Sequence, residues 1–329
     1  MLGIPDDLAA GLAGVAGGLS RHRLASAVEE LIEIYHGAAP VRPLTGPADV
    51  AAYAAYRMPA TYAAVHAALT AAAGALPGFE PRTLLDLGAG TGAAAWAAVA
   101  VFPSLDAVTL LEPAAEMARI GRQLAAGARS AVLRQARWRS VDLAQAGELP
   151  PADLVIASYL LGELPHQVRR RLAAAPLTTN GLLAVVEPGT PAGYERVVAL
   201  RDQLIGAGLS VVAPCPHDLE CPIPRGRDWC HFAVRVGRSA AHRELKGGTL
   251  AYEDEKYSYV CASAGGNHRS AARIVRHPLT RKGLVSLRLC TRDDGLATQV
   301  VAKSQGATYR AARDAVWGDA WAPVDRRRV

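Results

Sequence analysis

"LLDLGAGTGAA", residues 84–94, places three glycines at alternate positions between an apolar run and an alanine-rich stretch. The apolar run reads as a buried parallel strand, and the following "AAAWAAVAVF" reads as the helix after it. Glycines are needed at such a junction because the turn is tight and the amides at the helix start must approach a ligand, which any Cβ would obstruct. On its own the string is ambiguous, since Gly88, Gly90 and Ala93 also satisfy the dinucleotide pattern G-x-G-x-x-G/A. Two acids help to decide. Asp86 stands two residues before the first glycine, where a carboxylate would repel a pyrophosphate but could receive the ammonium of a methionine moiety. Glu112 ends the next apolar run, "TLLEP", where an acid can accept both hydroxyls of a ribose.

Outward from this turn the rhythm continues. "AVTLLEP", "DLVIASY" and "GLLAVVEPG" alternate with the helical stretches "AAEMARIGRQLAAGA", "HQVRRRLAAAPL" and "GYERVVALRDQLIGAG". Strands alternating with helices of this length imply an α/β fold with a doubly wound parallel sheet, and "LSVVAP" (209–214) is its next strand. Upstream, residues 1–78 read as alanine-rich amphipathic helices, an N-terminal helical extension. Downstream, "KYSYVCAS", "ARIVRHP", "LVSLRLCT" and "ATQVVAKS" make residues 215–329 β-rich. The expected division is therefore a helical region over 1–78, a Rossmann-like nucleotide-binding domain over 79–214 and a cysteine-bearing, β-rich basic region over 215–329.

Half of the 329 residues are apolar, enough for a sizeable core. No run of about 20 strongly apolar residues is present, so no membrane span is expected. Asp6 and Asp7 stand where a secretory signal needs basic residues, and the start lacks the Arg-rich character of a transit peptide, so residence in a bacterial cytoplasm, as a monomer, is expected. The net charge of +6 is unevenly placed: residues 1–200 carry 15 Arg, no Lys and 17 acidic residues, whereas residues 201–329 carry 21 basic and 13 acidic ones. A basic excess confined to one region suits a polyanionic partner such as RNA.

Three of five cysteines fall within "CPHDLECPIPRGRDWC", residues 215–230. Thiols stay reduced in a cytoplasm, so Cys215, Cys221 and Cys230, spaced C-x5-C-x8-C, read as thiolate ligands. Candidates for a fourth ligand are Cys261, Cys290, His217 and His231. Cys261 is bracketed by apolar strand residues and reads as a buried thiol, while Cys290 ends a strand before the polar turn "TRDDG" and is the choice. Four thiolates fit a tetrahedral zinc or a four-iron four-sulfur cluster, and spacing alone does not separate the two. The prolines at 214, 216, 222 and 224 stiffen the loop that would carry the metal.

D-x-G-x-G-x-G together with the acid of the second strand resembles motifs I and II of the class I S-adenosylmethionine-dependent methyltransferases. That resemblance implies a donor site built from Asp86, Gly88, Gly90, Gly92 and Glu112, puts Asp142 of "WRSVDLA" near the adenine, and makes "DLVIASYLLGEL" the strand that faces the methyl group. The amino-methylating "NPPY"-type tetrad is missing there, with Ala157, Ser158 and Tyr159 in its place. More widely, "CPHDLECP", "DWCHFAVRV", "HRELKGG", "ARIVRHPLTRKGLVSLRLC", "VVAKSQG" and "YRAARDAVWGDAW", in this order after the glycine turn, resemble the Rsm-twenty-two-type methyltransferase-like family associated with the small ribosomal subunit, particularly the mitochondrial one. The resemblance spans about residues 50–322. It implies S-adenosylmethionine, a [4Fe–4S] cluster on Cys215, Cys221, Cys230 and Cys290, and action on the small-subunit ribosomal RNA or its assembly. Arg281–Gly283, Lys303 and Arg326–Arg328 are candidates for RNA contact. Two functions remain open, RNA methylation and a non-catalytic role in assembly, with a zinc-containing small-molecule methyltransferase as a third.

Overall fold

The computed structural model of the chain describes residues 2–35, 44, 46–237, 251–265 and 269–322. Three helices open it: α1 (Asp6–Gly17), α2 (Arg21–Tyr35) and α3 (Pro47–Ala75). The central unit then runs β1 (Thr83–Leu87), α4 (Ala93–Val101), β2 (Ala107–Leu111), α5 (Ala115–Ala126), α6 (Ala131–Arg134), β3 (Arg137–Arg139), β4 (Ala152–Ser158), α7 (His166–Arg171), β5 (Leu177–Pro188), α8 (Pro191–Gly206) and β6 (Ser210–Ala213). It is followed by β7 (Phe232–Gly237), β8 (Tyr252–Ser263), β9 (Ala272–Ile274), β10 (Leu279–Arg281), β11 (Leu284–Thr291), β12 (Gly295–Ala302), α9 (Ala307–Asp314) and β13 (Ala320–Trp321).

The main sheet has the order β3-β2-β1-β4-β5-β8-β6. Its first five strands are parallel, and β8 enters antiparallel between β5 and β6. This is the class I methyltransferase arrangement of a Rossmann-like sheet, as expected from the glycine turn and the strand rhythm. Side chains alternate across the sheet as the pleat requires. Leu84, Leu154 and Leu182 face a layer made by α1, α3 and α4, while Leu85, Val155 and Leu183 face the layer that holds Val168 of α7 and Val197, Leu200 and Leu204 of α8. Both faces of the sheet are thus buried, which is why the strands read as continuous apolar runs. Alanines in α3 and α4 pack without bulk, and Ala64, Ala68, Ala72, Ala94 and Ala97 are all buried. No helix among the described residues is long and apolar enough to cross a membrane.

β8 lies far in sequence from its partners, and it creates the feature that positions the cysteines. One edge pairs with β5. Along the other edge, β6 pairs as far as Cys261 and β7 resumes at Tyr257, so the two lie end to end as one strand interrupted. The chain leaves the sheet in that gap, and residues 214–231 form the excursion. A second sheet, β10-β11-β9-β13 with β12 on the far side of β11, packs its own core of Ile274, Val285, Leu287, Leu289 and Val301.

α8 starts under tight constraint. Thr190 caps it by accepting from the Gly193 amide at 3.1 Å, and a Cβ on Gly193 would stand 2.0 Å from the carbonyl oxygen of Pro188. That oxygen is backbone and cannot turn aside. Gly193→Ala is therefore expected to cost about 3 kcal/mol, the upper end for an overpacked site, read as a lowered midpoint in denaturant at unchanged slope.

Candidate functional site

Two sites emerge. The first is the glycine turn at the carboxyl end of β1. Gly88 and Gly90 adopt φ of 64° and 56°, a region closed to most side chains. A Cβ on Gly88 would lie 2.5 Å from Leu160 Cδ1, whereas the space beside Gly90 holds no atom within 4 Å. Gly90 is thus the glycine that leaves room for a ligand, and Gly92 begins α4. Glu112, at the end of β2, is buried, and its two carboxylate oxygens accept from the Gly90 amide and the Ala114 amide, each at 2.8 Å. Each oxygen retains a further lone pair. Burial pushes the Glu112 carboxyl up, and the two amides pull it partly back.

Asp86 is the anomaly. It is fully buried, and neither oxygen has a hydrogen-bond partner of ordinary geometry. Burial first, then the charge of Glu112, push its carboxyl up to about 8, against a smaller opposing pull from the Ala95 amide. An orphaned carboxylate costs several kcal/mol to bury, so its place at a ligand site calls for a cationic partner. Asp142 makes no hydrogen bond to these residues among those described. It is exposed in a turn beyond β3, where its oxygens accept from the Ala144 amide at 2.9 Å and from Gln145 Nε2 at 3.1 Å.

Composition does not disclose what stands at the end of β4. Tyr159 has φ of 56°, the one non-glycine residue with positive φ among those described. Its hydroxyl donates to Glu255 Oε1 at 2.7 Å, and Arg57 of α3 donates to both Glu255 oxygens at 2.9 and 3.2 Å. Burial pushes the Tyr159 hydroxyl well above its ordinary range, with the Glu255 charge adding to it. A backbone twist into this region signals a constraint imposed from outside the residue. Thr91 of the glycine turn also donates, to Met58 Sδ of α3 at 3.3 Å, so α3 roofs the site.

The second site is a cavity in the excursion between β6 and β7. Cys215, Cys221, Cys230 and, from β11, Cys290 all line it. Cys261 lies elsewhere, fully buried in β8 with Sγ 3.9 Å from the carbonyl of Ala68. The Cys290 thiol is pushed up to about 12 by burial and then by Cys215 and Cys221, and Cys230 is raised well above its usual range by burial and the other three thiols. The four cysteines therefore share one pocket. Tyr194 OH stands 3.4 Å from Cys221 Sγ, and His217 Nε2 stands 3.4 Å from Cys290 Sγ, while His217 Nδ1 is buried with no partner.

Two buried arginines frame this cavity. Arg201 of α8 donates to the carbonyls of His217 and Leu219 at 3.0 and 2.6 Å, and Arg273 of β9 donates to those of Pro214 and Gly318, both at 2.9 Å. Burial holds the Cys215 thiol above its usual range, and the charges of Arg201 and Arg273 pull it only partly back. The donor set therefore fits a group that takes thiolates and binds with proton release. Among the described residues, no three His, Cys, Asp or Glu side chains are disposed around a single metal ion. Arg281, Lys282 and Lys303 are exposed on the second sheet and the turn after it, and Arg326–Arg328 lie outside the described residues.

A family model described as mitochondrial small ribosomal subunit Rsm22 matches residues 47–322. Human "Ribosome assembly protein METTL17, mitochondrial" is 30% identical over 286 residues, covering 81% of this chain and 61% of that protein. "Rsm22-cox11 tandem protein 2, mitochondrial" of Schizosaccharomyces pombe is 26% identical over 328 residues, covering 84% of this chain and 43% of that protein. The chain thus spans less than two thirds of either relative. Among solved structures, the precorrin-6y C5,15-methyltransferase of Geobacter metallireducens is 15% identical with a TM-score of 0.38, covering 60% of this chain and 85% of that one. The expectation of a bacterial cytoplasm is corrected here: the matching family and both relatives are mitochondrial proteins. That expectation rested on the first residues of the chain, which do not decide a compartment.

Proposed function

The chain belongs to the mitochondrial small ribosomal subunit Rsm22 family, and from that premise we propose that it is an S-adenosylmethionine-binding, iron–sulfur protein that acts in assembly of the small ribosomal subunit without transferring the methyl group. Asp86 would meet the ammonium of the nucleoside, Glu112 the ribose hydroxyls, and Gly90 would give the space between them. Cys215, Cys221, Cys230 and Cys290 would hold a [4Fe–4S] cluster, with Arg201 and Arg273 offsetting its negative charge. Bound there, the cluster supplies four metal–sulfur bonds that close the excursion against the second sheet. Four cysteines lining one cavity support a thiolate-bound centre, with zinc as the alternative to the cluster. The description of the matching family and the name of the human relative, together with the basic excess of residues 201–329, support the small subunit and its RNA as partner.

The observation that carries the non-catalytic reading is the Tyr159–Glu255–Arg57 network. The polar groups that reach the end of β4 satisfy one another, so the tyrosine hydroxyl and the carboxylate are already engaged instead of facing an acceptor. Incubation with small-subunit RNA and donor labelled in the methyl group tests this. RNA binding that weakens steeply with salt, together with no label in the RNA, is expected. Label entering the RNA at a rate abolished by Asp86→Asn would restore the enzymatic reading.

A further inference from the structure

Resting on the two sites proposed above, we infer that loading the cysteine cavity tightens the binding of S-adenosylmethionine through the first turns of α8, with Arg196 and Glu187 as the positioning residues.

The cavity grips the junction of β5 and α8 at two points. Tyr194, in the first turn of α8, meets Cys221 Sγ at 3.4 Å, and Trp229 Nε1 donates to the carbonyl of Gly189 at 2.9 Å. The junction has no slack, because a Cβ on Gly189 would lie 2.7 Å from the backbone of Lys256 and Tyr257, and Gly193 is tighter still. Whatever fixes the excursion therefore fixes the start of α8.

The same turns of α8 hold the wall of the glycine site. Arg196 Nε donates to Glu187 Oε2 at 2.7 Å, and the other oxygen of Glu187 accepts from the Leu161 amide at 2.8 Å. Glu187 is buried, at 1% exposure, so this pair is screened little by solvent. Leu160, the neighbour of that amide, is the side chain packed against Gly88. The chain of contacts from Cys221 to Gly88 thus passes through one helix start and one buried ion pair. Closely packed interiors pass on small displacements instead of absorbing them. With the thiols ligated, the excursion has one arrangement. With the cavity empty, its hold on α8 rests on the Arg201 hydrogen bonds, the Arg225–Asp202 pair and the packing of Ile223 against Tyr194 and Val198, and the wall over Gly88 loses the added support of the ligated sulfurs.

Calorimetric titration of S-adenosylmethionine into anaerobically purified, cluster-loaded protein and into protein stripped by a chelator reads the coupling. A Kd about tenfold weaker in the stripped form is expected, within the usual range for coupled sites. In Arg196→Met the iron content and visible absorbance are expected to stay at the parent level while the two Kd values become equal. Equal Kd values in the two forms of the parent overturn the inference, as does a tenfold ratio that survives in Arg196→Met. Should stripping unfold the chain, the reciprocal effect decides: saturating S-adenosylmethionine slows bleaching of the cluster by chelator in the parent and leaves it unchanged in Arg196→Met, and no slowing in the parent overturns the coupling. Absence of visible absorbance from every anaerobic preparation, or of nucleoside binding to either form, overturns the parent reading and the inference with it.

Discussion

Cys221→Ser protein is expected to purify anaerobically without visible absorbance and to melt far below the parent. A serine oxygen is harder than sulfur and reaches less far, so it replaces a thiolate poorly on iron. Binding free energy at a structural metal centre is folding free energy. Losing even about 5 kcal/mol of it lowers the melting temperature of a chain this size by about 10 °C. Cys261→Ala serves as the control, because that thiol packs in β8 toward the Ala68 carbonyl of α3 and does not line the cavity that the other four line. A Cys221→Ser protein with the parent's iron content and melting temperature would sink the cluster assignment. Loss of absorbance in Cys261→Ala to the same extent would do so equally.

Asp86→Asn is expected to separate stability from binding. In the fold this carboxyl keeps its proton to about pH 8, against 3.8 when free. The folded chain therefore binds more protons than the unfolded chain between those values, and stability falls as pH rises through that window. By pH 9 the parent has lost on the order of 5 kcal/mol to this one group, a loss the amide variant does not share. The variant should consequently melt higher than the parent at pH 9, with a much smaller gap at pH 5. Affinity for S-adenosylmethionine should fall about 100-fold, because a buried charge pair has lost one member. Thermal melts from pH 5 to 9 alongside calorimetric titration check both halves. A variant that melts lower than the parent at pH 9, or that binds the nucleoside as tightly, contradicts this account of Asp86.

What the sequence disclosed was local. Asp86, Gly88 and Glu112 are legible because a tight turn and the end of a neighbouring strand leave their mark within thirty residues. The parallel sheet is legible for the same reason, since each strand is followed at once by its own helix. β8 is different. Its pairing with β5 joins Val185 to Val260, and apolar alternation carries no address for so distant a partner. "KYSYVCAS" consequently groups with the later β segments by composition, although it completes the first sheet. The Tyr159–Glu255–Arg57 network was missed on the same ground, because it draws on three elements separated by 96 and 198 positions. Its one local trace would have been an aromatic residue where a left-handed turn is required. The Arg201 and Arg273 charges around the cysteines had no signal at all, since a buried arginine looks like any other until its surroundings are known.

The interruption between β6 and β7 has a consequence for synthesis of the protein. Three sulfurs emerge from the ribosome within sixteen residues, but the fourth comes from β11, sixty positions later, and Arg273 from β9 emerges in between. A polypeptide released before residue 290 can offer only an open triad on an unbacked loop. Only a chain translated past residue 290 can bring all four sulfurs together, so a filled cavity would report that synthesis has passed β11, and products cut short of it would be left with an unbacked loop for proteases to cut.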